Sequence, residues 1–447
     1  MGKQAAAPPR TVGVTGVIVG FMALISLGTF LLSLPNAREP GMEWDFWSTL
    51  FTATSAVCVT GLVVVDTGTY WSPFGQAVIL GLIQAGGLGV MTASMLILMV
   101  LRRAIAFRDR FELYESSRAG GLRSVKGLIW LTILISLVFE LLGAAAIWYR
   151  LRPIEGGEGA LWPSLFHAVS AFNNAGFDIM KGFASLSGFA RDRVFLLIIG
   201  VLVVSGGLGI LVLLDMASKR SWRPLSPNSK MVLLVSAFLL AVGFSGILAA
   251  EFTNPSTLGG MALPDKLANA LFHSVTARTA GFNSLPVGAF HDETLFLTMA
   301  LMYIGGATGS TAGGIKVNTF GVLLLATMAA ARGYEQTSAF GRQFSHRLVY
   351  RAVAVVTMSL GMVFVGTLVL TVTEGFAFSQ TLFEVFSAFG TVGLTTGITP
   401  ELSVAGKVNI IVLMFVGRLG PLTLAYALAQ RARKPRYALP EEDIAIG

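Results

Sequence analysis

Four short segments of the chain repeat one another, and each carries a glycine at its end: Ser55–Leu62, Ser170–Phe177, Thr276–Phe282 and Ser387–Leu394. Their glycines, Gly61, Gly176, Gly281 and Gly393, lie 115, 105 and 112 residues apart. Repetition of this kind decides architecture before any local feature does. Glycine reaches backbone conformations with positive φ at no Cβ penalty, so four such segments are able to turn carbonyl oxygens toward one axis. Oxygens held that way replace the hydration shell of a dehydrated cation. The chemistry open to these residues is ion selection. Glycines that merely pack re-entrant helices are the competing reading, and fourfold recurrence on one face weighs against it.

A second glycine-rich run has a different character. Ile304–Lys316 places Gly305, Gly306, Gly309, Gly313 and Gly314 with Thr308, Ser310 and Thr311 inside an otherwise apolar stretch, which breaks a helix at membrane depth. It is not a nucleotide phosphate loop: the G-x-x-x-x-G-K-[ST] spacing is absent and no strand precedes it.

Arg418 sits midway along another apolar run, where an ionisable residue marks a functional site by default; a structural ion pair with Glu384 is the alternative. Lys316 either contacts the glycine run or snorkels away from it. Arg278 is expected to tie the third loop to its surroundings. Asp66 and Asp178 either gather cations at an outer mouth or are solvated loop acids. His167 and His273 are expected to be buried and hydrogen-bonded, and Glu140 to serve packing between spans.

The elements that position these residues follow from composition. The 447 residues are 54% hydrophobic and 13% charged, with a mean hydropathy of +0.72; a soluble domain carries roughly a quarter charged residues. Apolar runs such as Val12–Leu34, Leu128–Trp148, Val194–Leu214, Met231–Ala250 and Val408–Ala429 are long enough to cross a bilayer. The first is too long for a cleaved signal and is expected to stay as a span. A single cysteine, Cys58, excludes an intrachain disulfide. Lys and Arg crowd both termini and the loops Arg102–Lys126, Lys219–Lys230 and Arg332–Arg351, which places those segments in the cytoplasm and the four glycine loops outside.

Each quarter of the chain then reads as span, short half-helix, glycine loop, span. The half-helices Phe46–Val57, Trp162–Phe172, Asp265–Ala277 and Ser379–Phe389 are too short to cross. The expected fold is an all-α polytopic membrane protein of eight spans and four re-entrant half-helices around a pseudo-fourfold pore. Its repeats occupy residues 11–101, 127–215, 229–325 and 349–430, joined by cytoplasmic loops 102–126, 216–228 and 326–348, with termini 1–10 and 431–447. Leu-Phe pairs precede every loop glycine, and the third repeat is one residue shorter there. The second spans share an echo, Gly-Gly-Leu-Gly at Gly86–Gly89 and again at Gly206–Gly209, expected to serve close helix packing.

These loops and their setting resemble the Trk/Ktr/HKT superfamily of potassium transporters over nearly the whole chain, and most of all the KtrB-type membrane subunits of bacterial Ktr systems. The resemblance implies a potassium-selective filter formed by Val59-Thr60-Gly61, Asn174-Ala175-Gly176, Thr279-Ala280-Gly281 and Thr391-Val392-Gly393. It implies that Gly305–Gly314 is an intramembrane gate, with Lys316 beside it and Arg418 as a barrier to cation passage below the filter. It further implies potassium as the transported ion, a homodimer in the bacterial inner membrane, and a separate cytosolic KtrA-like subunit that binds nucleotides, since this chain holds no nucleotide-binding domain. Some members need sodium, for which no site is readable here.

Basic loops also suit contact with anionic lipids, and the charge distribution gives no reason to invoke nucleic acid. A sodium- or proton-coupled transporter of another solute would suit Ile304–Lys316 alone, but needs no fourfold cage of carbonyls. No paired carboxylates, metal cluster or nucleophile–base set supports an enzyme.

Overall fold

The computed structural model describes residues 12–106 and 125–420, so the amino-terminus 1–10, most of the loop 102–126, the end of the last span and the tail 431–447 lie outside the described residues. The first quarter runs α1 (Val12–Ser33), α2 (Phe46–Val57), the single turn α3 (Thr67–Tyr70) and α4 (Pro73–Ala106). The second has α5 (Val125–Glu155), α6 (Leu161–Phe172), α7 (Arg193–Leu208) and α8 (Ile210–Lys219). The third has α9 (Pro227–Glu251), α10 (Leu263–Thr276), α11 (Asp292–Tyr303) and α12 (Val317–Ala331). A two-residue hairpin, Ser338–Ala339 with Arg342–Gln343, leads to the fourth: α13 (His346–Thr373), α14 (Phe378–Gly390) and α15 (Val404–Leu419).

Local chemistry sets the helix starts. Asp45 caps α2 by accepting from Trp47 N (3.2 Å) and Ser48 N (2.9 Å). Asp192 caps α7, Ser226 caps α9 ahead of Pro227, and Ser403 caps α15. Each satisfies an amide that a helix terminus otherwise leaves unpaired.

The short helices α2, α6, α10 and α14 are the most buried elements, and their packing closes a ring. Each lies against the first span of its own quarter and the second span of the quarter before: α6 meets α4, α10 meets α7, α14 meets α11, and α2 meets α15. The outward faces of the long helices stay apolar, with Trp130, Phe296, Phe364 and Val372 among the exposed side chains. In water such a surface would aggregate; in a bilayer it is the solvated face.

Five helices are long and apolar enough to cross a membrane, or six when α7 and α8 count as one. The expected eight differ at three places. The glycine run divides α11 from α12, and α15 meets the end of the described residues at Gly420. The third difference corrects the sequence expectation: Val194–Leu214 is not one straight span, because α7 and α8 meet at a 96° bend. Gly209 makes that corner at φ 78°, ψ 146°, a region open essentially to glycine alone. Gly206–Gly209 is therefore a hinge as well as a packing site, whereas Gly86–Gly89 lies within the unbroken α4.

Replacing Gly209 with alanine is expected to cost roughly 1–3 kcal/mol, read as a lower melting temperature of the detergent-solubilised protein. An unchanged melt would mean that the corner tolerates a side chain.

Candidate functional site

Each half-helix ends in the same way. The first residue after its final turn, Val59, Asn174, Thr279 or Thr391, takes positive φ (56°, 58°, 68° and 49°), and two residues later the glycine does so again (91°, 69°, 80° and 97°). Non-glycine residues in that region cost of order 1–3 kcal/mol each, so the surroundings must enforce it. The Ser or Thr that opens each repeated segment supplies much of the enforcement. Ser55 O, Ser170 O and Ser387 O accept from Thr60 N, Ala175 N and Val392 N at 2.8–2.9 Å. Ser55 Oγ and Ser387 Oγ also accept from the glycine amides, while Ser170 Oγ and Thr276 Oγ1 donate to Phe177 O (2.6 Å) and Phe282 O (2.7 Å). The shorter third repeat makes its equivalent bond over four residues, Ala280 N to Thr276 O (2.9 Å), and still delivers Gly281 to the same position.

The four glycines meet around one centre. A methyl group built on Gly61 would strike Ala175 O; on Gly176, Ala280 O; on Gly281, Val392 O; and on Gly393, Thr60 O. The cycle closes on itself. The space that side chains would fill is bounded by backbone oxygens of the next quarter, so any residue larger than glycine is excluded at all four positions. The hydroxyls of Thr60, Thr279 and Thr391 are buried without a protein partner among the described residues.

The glycine run lies directly against these loops. Gly305 N donates to Ile315 O (2.9 Å), Ala307 N to Gly207 O (2.9 Å) and Val317 N to Gly306 O (3.0 Å), so the run is pinned to itself and to the hinge between α7 and α8. Thr311 Oγ1 and the Asn174 amide are 2.8 Å apart, with the amide nitrogen as donor once the side chain is oriented by its neighbours. A methyl group on Gly313 would overlap Thr391 Oγ1, and one on Gly305 would press on Thr279. Three of the four loops thus touch one segment.

Two arginines and a lysine hold that segment. Arg418, 4% exposed, donates to Thr311 O and, through Nη2, to Gly86 O (3.3 Å). The ion pair with Glu384 is not formed; Glu384 accepts instead from Thr395 Oγ1 (3.0 Å) and Thr399 Oγ1 behind the fourth loop. Arg278 donates to Gly305 O (2.9 Å) and Ser236 O (3.2 Å), tying the third loop to the glycine run and to α9. Lys316 Nζ donates to Ala312 O, so it closes the run from within.

Other singled-out residues support this centre from outside it. Glu140 is 2% exposed and accepts from Gln84 Nε2 (3.2 Å) and Asn173 Nδ2 (3.0 Å), linking α5, α4 and the residue just before Asn174. His167 donates through Nδ1–H to Pro163 O (2.7 Å). His273, expected to be hydrogen-bonded, is buried against the Phe290 ring, and its Nε2 has no partner among the described residues.

Asp66 is not a free solvated acid: it accepts from Gly68 N (2.8 Å), Gly182 N and Phe183 N (3.1 Å), stapling the first outer loop to the second. Asp178 is half-buried beside Gly176, accepting from Met180 N (3.0 Å). Burial pushes its carboxyl up to about 7, and the neighbouring Asp66 adds to the rise. Among the described residues no cluster of three or more His, Cys, Asp or Glu is placed to hold a metal ion.

Sequence reasoning did not find the serine and threonine clamps, the Gln84–Asn173–Glu140 network or the Gly209 hinge. The clamps had a signal, since a hydroxyl residue opens all four repeated segments. The network joins residues far apart in sequence and had none.

A family model described as a TrkH cation transport protein matches residues 7–437. The chain is 42% identical to the Ktr system potassium uptake protein B of Bacillus subtilis, over 96% of this chain and 95% of that one. It is 40% identical to the potassium/sodium uptake protein NtpJ of Enterococcus hirae, over 96% of each. The crystal structure of the potassium transporter TrkH from Vibrio parahaemolyticus matches with a TM-score of 0.75 at 21% identity, covering 95% of this chain and 86% of that one. At that identity the likeness is one of fold.

Glu140→Ala leaves the Gln84 amide without its buried acceptor, while Asn173 Nδ2 keeps Gln84 Oε1 (2.8 Å) and Val169 O (2.9 Å). The change is expected to cost about 1–3 kcal/mol, and Glu140→Gln, which retains an oxygen, costs less. Melting curves that rank alanine level with the native protein would show the network to be dispensable.

Proposed function

Because the chain belongs to the TrkH cation transport family, within its Ktr/Trk potassium uptake branch, we propose that it carries potassium into the cell through a filter made by the four glycine loops. The observation that supports this most directly is the closed cycle of Gly61, Gly176, Gly281 and Gly393, each abutting the next quarter's carbonyl. Backbone oxygens of Val59-Thr60-Gly61 and its three counterparts replace the water that the ion sheds. The unpartnered hydroxyls of Thr279 and Thr391 add oxygens at the inner end. The carboxyl ends of α2, α6, α10 and α14 run into these loops, and their dipoles favour positive charge there.

Directly below, the run Gly305–Gly314, which includes Ser310, acts as the gate, with Thr311 against the second loop and Arg418 as a fixed positive charge that discourages passage while the run is in place. Its bonds to the α7–α8 hinge and to Arg418 give the run a defined closed position. A cytosolic nucleotide-binding subunit of the KtrA kind moves it. The chain works as a homodimer in the bacterial inner membrane with both termini in the cytoplasm. Sodium joins potassium as a candidate cargo or activator, in keeping with the name of the Enterococcus relative.

Rubidium flux into proteoliposomes tests this proposal. Saturable entry, competed by potassium better than by sodium, is the expected result; entry driven only by an organic solute would discard the filter. Arg418→Gln is expected to change rubidium flux or apparent affinity by roughly tenfold, the effect of about 1.4 kcal/mol on a barrier, and identical kinetics would remove Arg418 from the mechanism.

External pH gives a separate check on the mouth. Asp178, with its carboxyl near 7, is charged above that pH and neutral below it. Rubidium affinity is therefore expected to weaken on going from about pH 8 to about pH 6, and Asp178→Asn is expected to flatten that dependence. An equal pH response in native and variant protein would assign it elsewhere.

A further inference from the structure

Away from the ring, a cavity of about 330 Å³ opens between the amino-terminal parts of α9, α12 and α13. Its volume falls in the range of ligand pockets. Asn228, Asn318 and Thr308 form a hydrogen-bonded polar cluster in its wall, and Arg351 also lines it. Most of the remaining lining is apolar, with Met231, Phe344 and Val355 among it. Arg351 lies in the second turn of α13 and has no carboxylate partner among the described residues. Asn228 uses its oxygen to accept from Asn318 Nδ2 (2.7 Å), and its own amide nitrogen has no partner among the described residues. Three helix starts add their positive dipole ends to the same region. His346, Arg347 and Lys230 stand close by in sequence.

A cationic, hydrogen-bond-donating set in a mostly apolar slot, on the Lys- and Arg-rich side of a membrane protein, matches one class of molecule. We propose that this cavity binds an anionic phospholipid of the inner leaflet. Its phosphate is held by the Arg351 guanidinium and the Asn228 amide, and an acyl chain lies along Met231, Phe344 and Val355. Basic pockets between membrane helices on the cytoplasmic side take such head groups.

The site touches the glycine run. Asn318 Oδ1 accepts from both Thr308 N (3.1 Å) and Thr308 Oγ1 (3.2 Å), and the same side chain reaches Asn228. A phosphate bound to Arg351 and Asn228 leaves that clasp intact and draws α13 toward α9. Occupancy therefore holds the run where it stands and slows passage. This regulatory step rests on the run being the gate; the binding site itself does not.

The test uses the full chain purified without its partner subunit and exchanged into detergent with phosphatidylglycerol. Retained lipid is counted by native mass spectrometry. Arg351→Gln, which removes the charge, and Val355→Phe, which fills the slot, are each expected to lower retention by roughly tenfold with the melting temperature kept. Equal retention in all three proteins overturns the site. Retention that appears only after residues 431–447 are removed assigns the cavity to the chain's own tail and overturns the lipid. Inorganic phosphate acting alike in neutral vesicles also overturns it, in favour of a free anion. For the coupling, rubidium flux is expected to be several-fold slower in phosphatidylglycerol-rich than in phosphatidylcholine vesicles for the native chain and equal in both for Arg351→Gln. Retention that follows the variants while flux ignores the lipid upholds the site and overturns the coupling alone.

Discussion

The structure depends on a steric exclusion shared by four backbones. Each of Gly61, Gly176, Gly281 and Gly393 yields the place of its missing side chain to a carbonyl from the next quarter. No quarter can be positioned alone, because each defines the wall of its neighbour. The ring of half-helix contacts, α2 with α15, α6 with α4, α10 with α7 and α14 with α11, repeats the same cyclic dependence one layer farther out. Irregular backbone at membrane depth survives only where protein or water satisfies it, and here the serine and threonine clamps at the end of each half-helix do much of that work.

From that constraint follows the coupling between the loops and the glycine run beneath them. Thr311 meets Asn174, Gly313 meets Thr391, and Gly305 meets Thr279. The run cannot move without altering contacts on three of the four loops. Arg418 and Arg278 reinforce this by binding carbonyls of the run, Thr311 O and Gly305 O, rather than carboxylates. A guanidinium bonded to carbonyls keeps its full positive charge facing its surroundings. A salt bridge would have neutralised it.

Much of this was legible in the sequence. The four glycine segments, the half-helices and the break at Ile304–Lys316 are each local patterns, and local patterns survive without a fold. The Arg418 partners were not legible, because a lone charge in an apolar run names no partner until the helices are placed. The hinge at Gly209 was missed for a related reason. Gly-Gly-Leu-Gly occurs at Gly86–Gly89 inside a continuous helix and at Gly206–Gly209 at a right-angled bend. What separates them is the neighbouring glycine run, whose amides take Gly206 O and Gly207 O as acceptors. The role of Glu140 was not legible either, because its amide donors come from α4 and from the end of α6, and distance in sequence hid them.

The second spans share a sequence pattern yet run differently: α4 continues unbroken, α7 turns sharply into α8, and α11 is parted from α12. An assembly of four identical chains could not do this, since every inserted obstacle would appear in quadruplicate and collide with its own copies at the symmetry axis. Fusing the quarters into one polypeptide lifts that restriction. A single segment such as Gly305–Gly314 can then be seated in one quarter alone, with the α7–α8 corner receiving it on one side and Arg418 set against it on another. Specialisation of equivalent parts is what the loss of strict symmetry makes available.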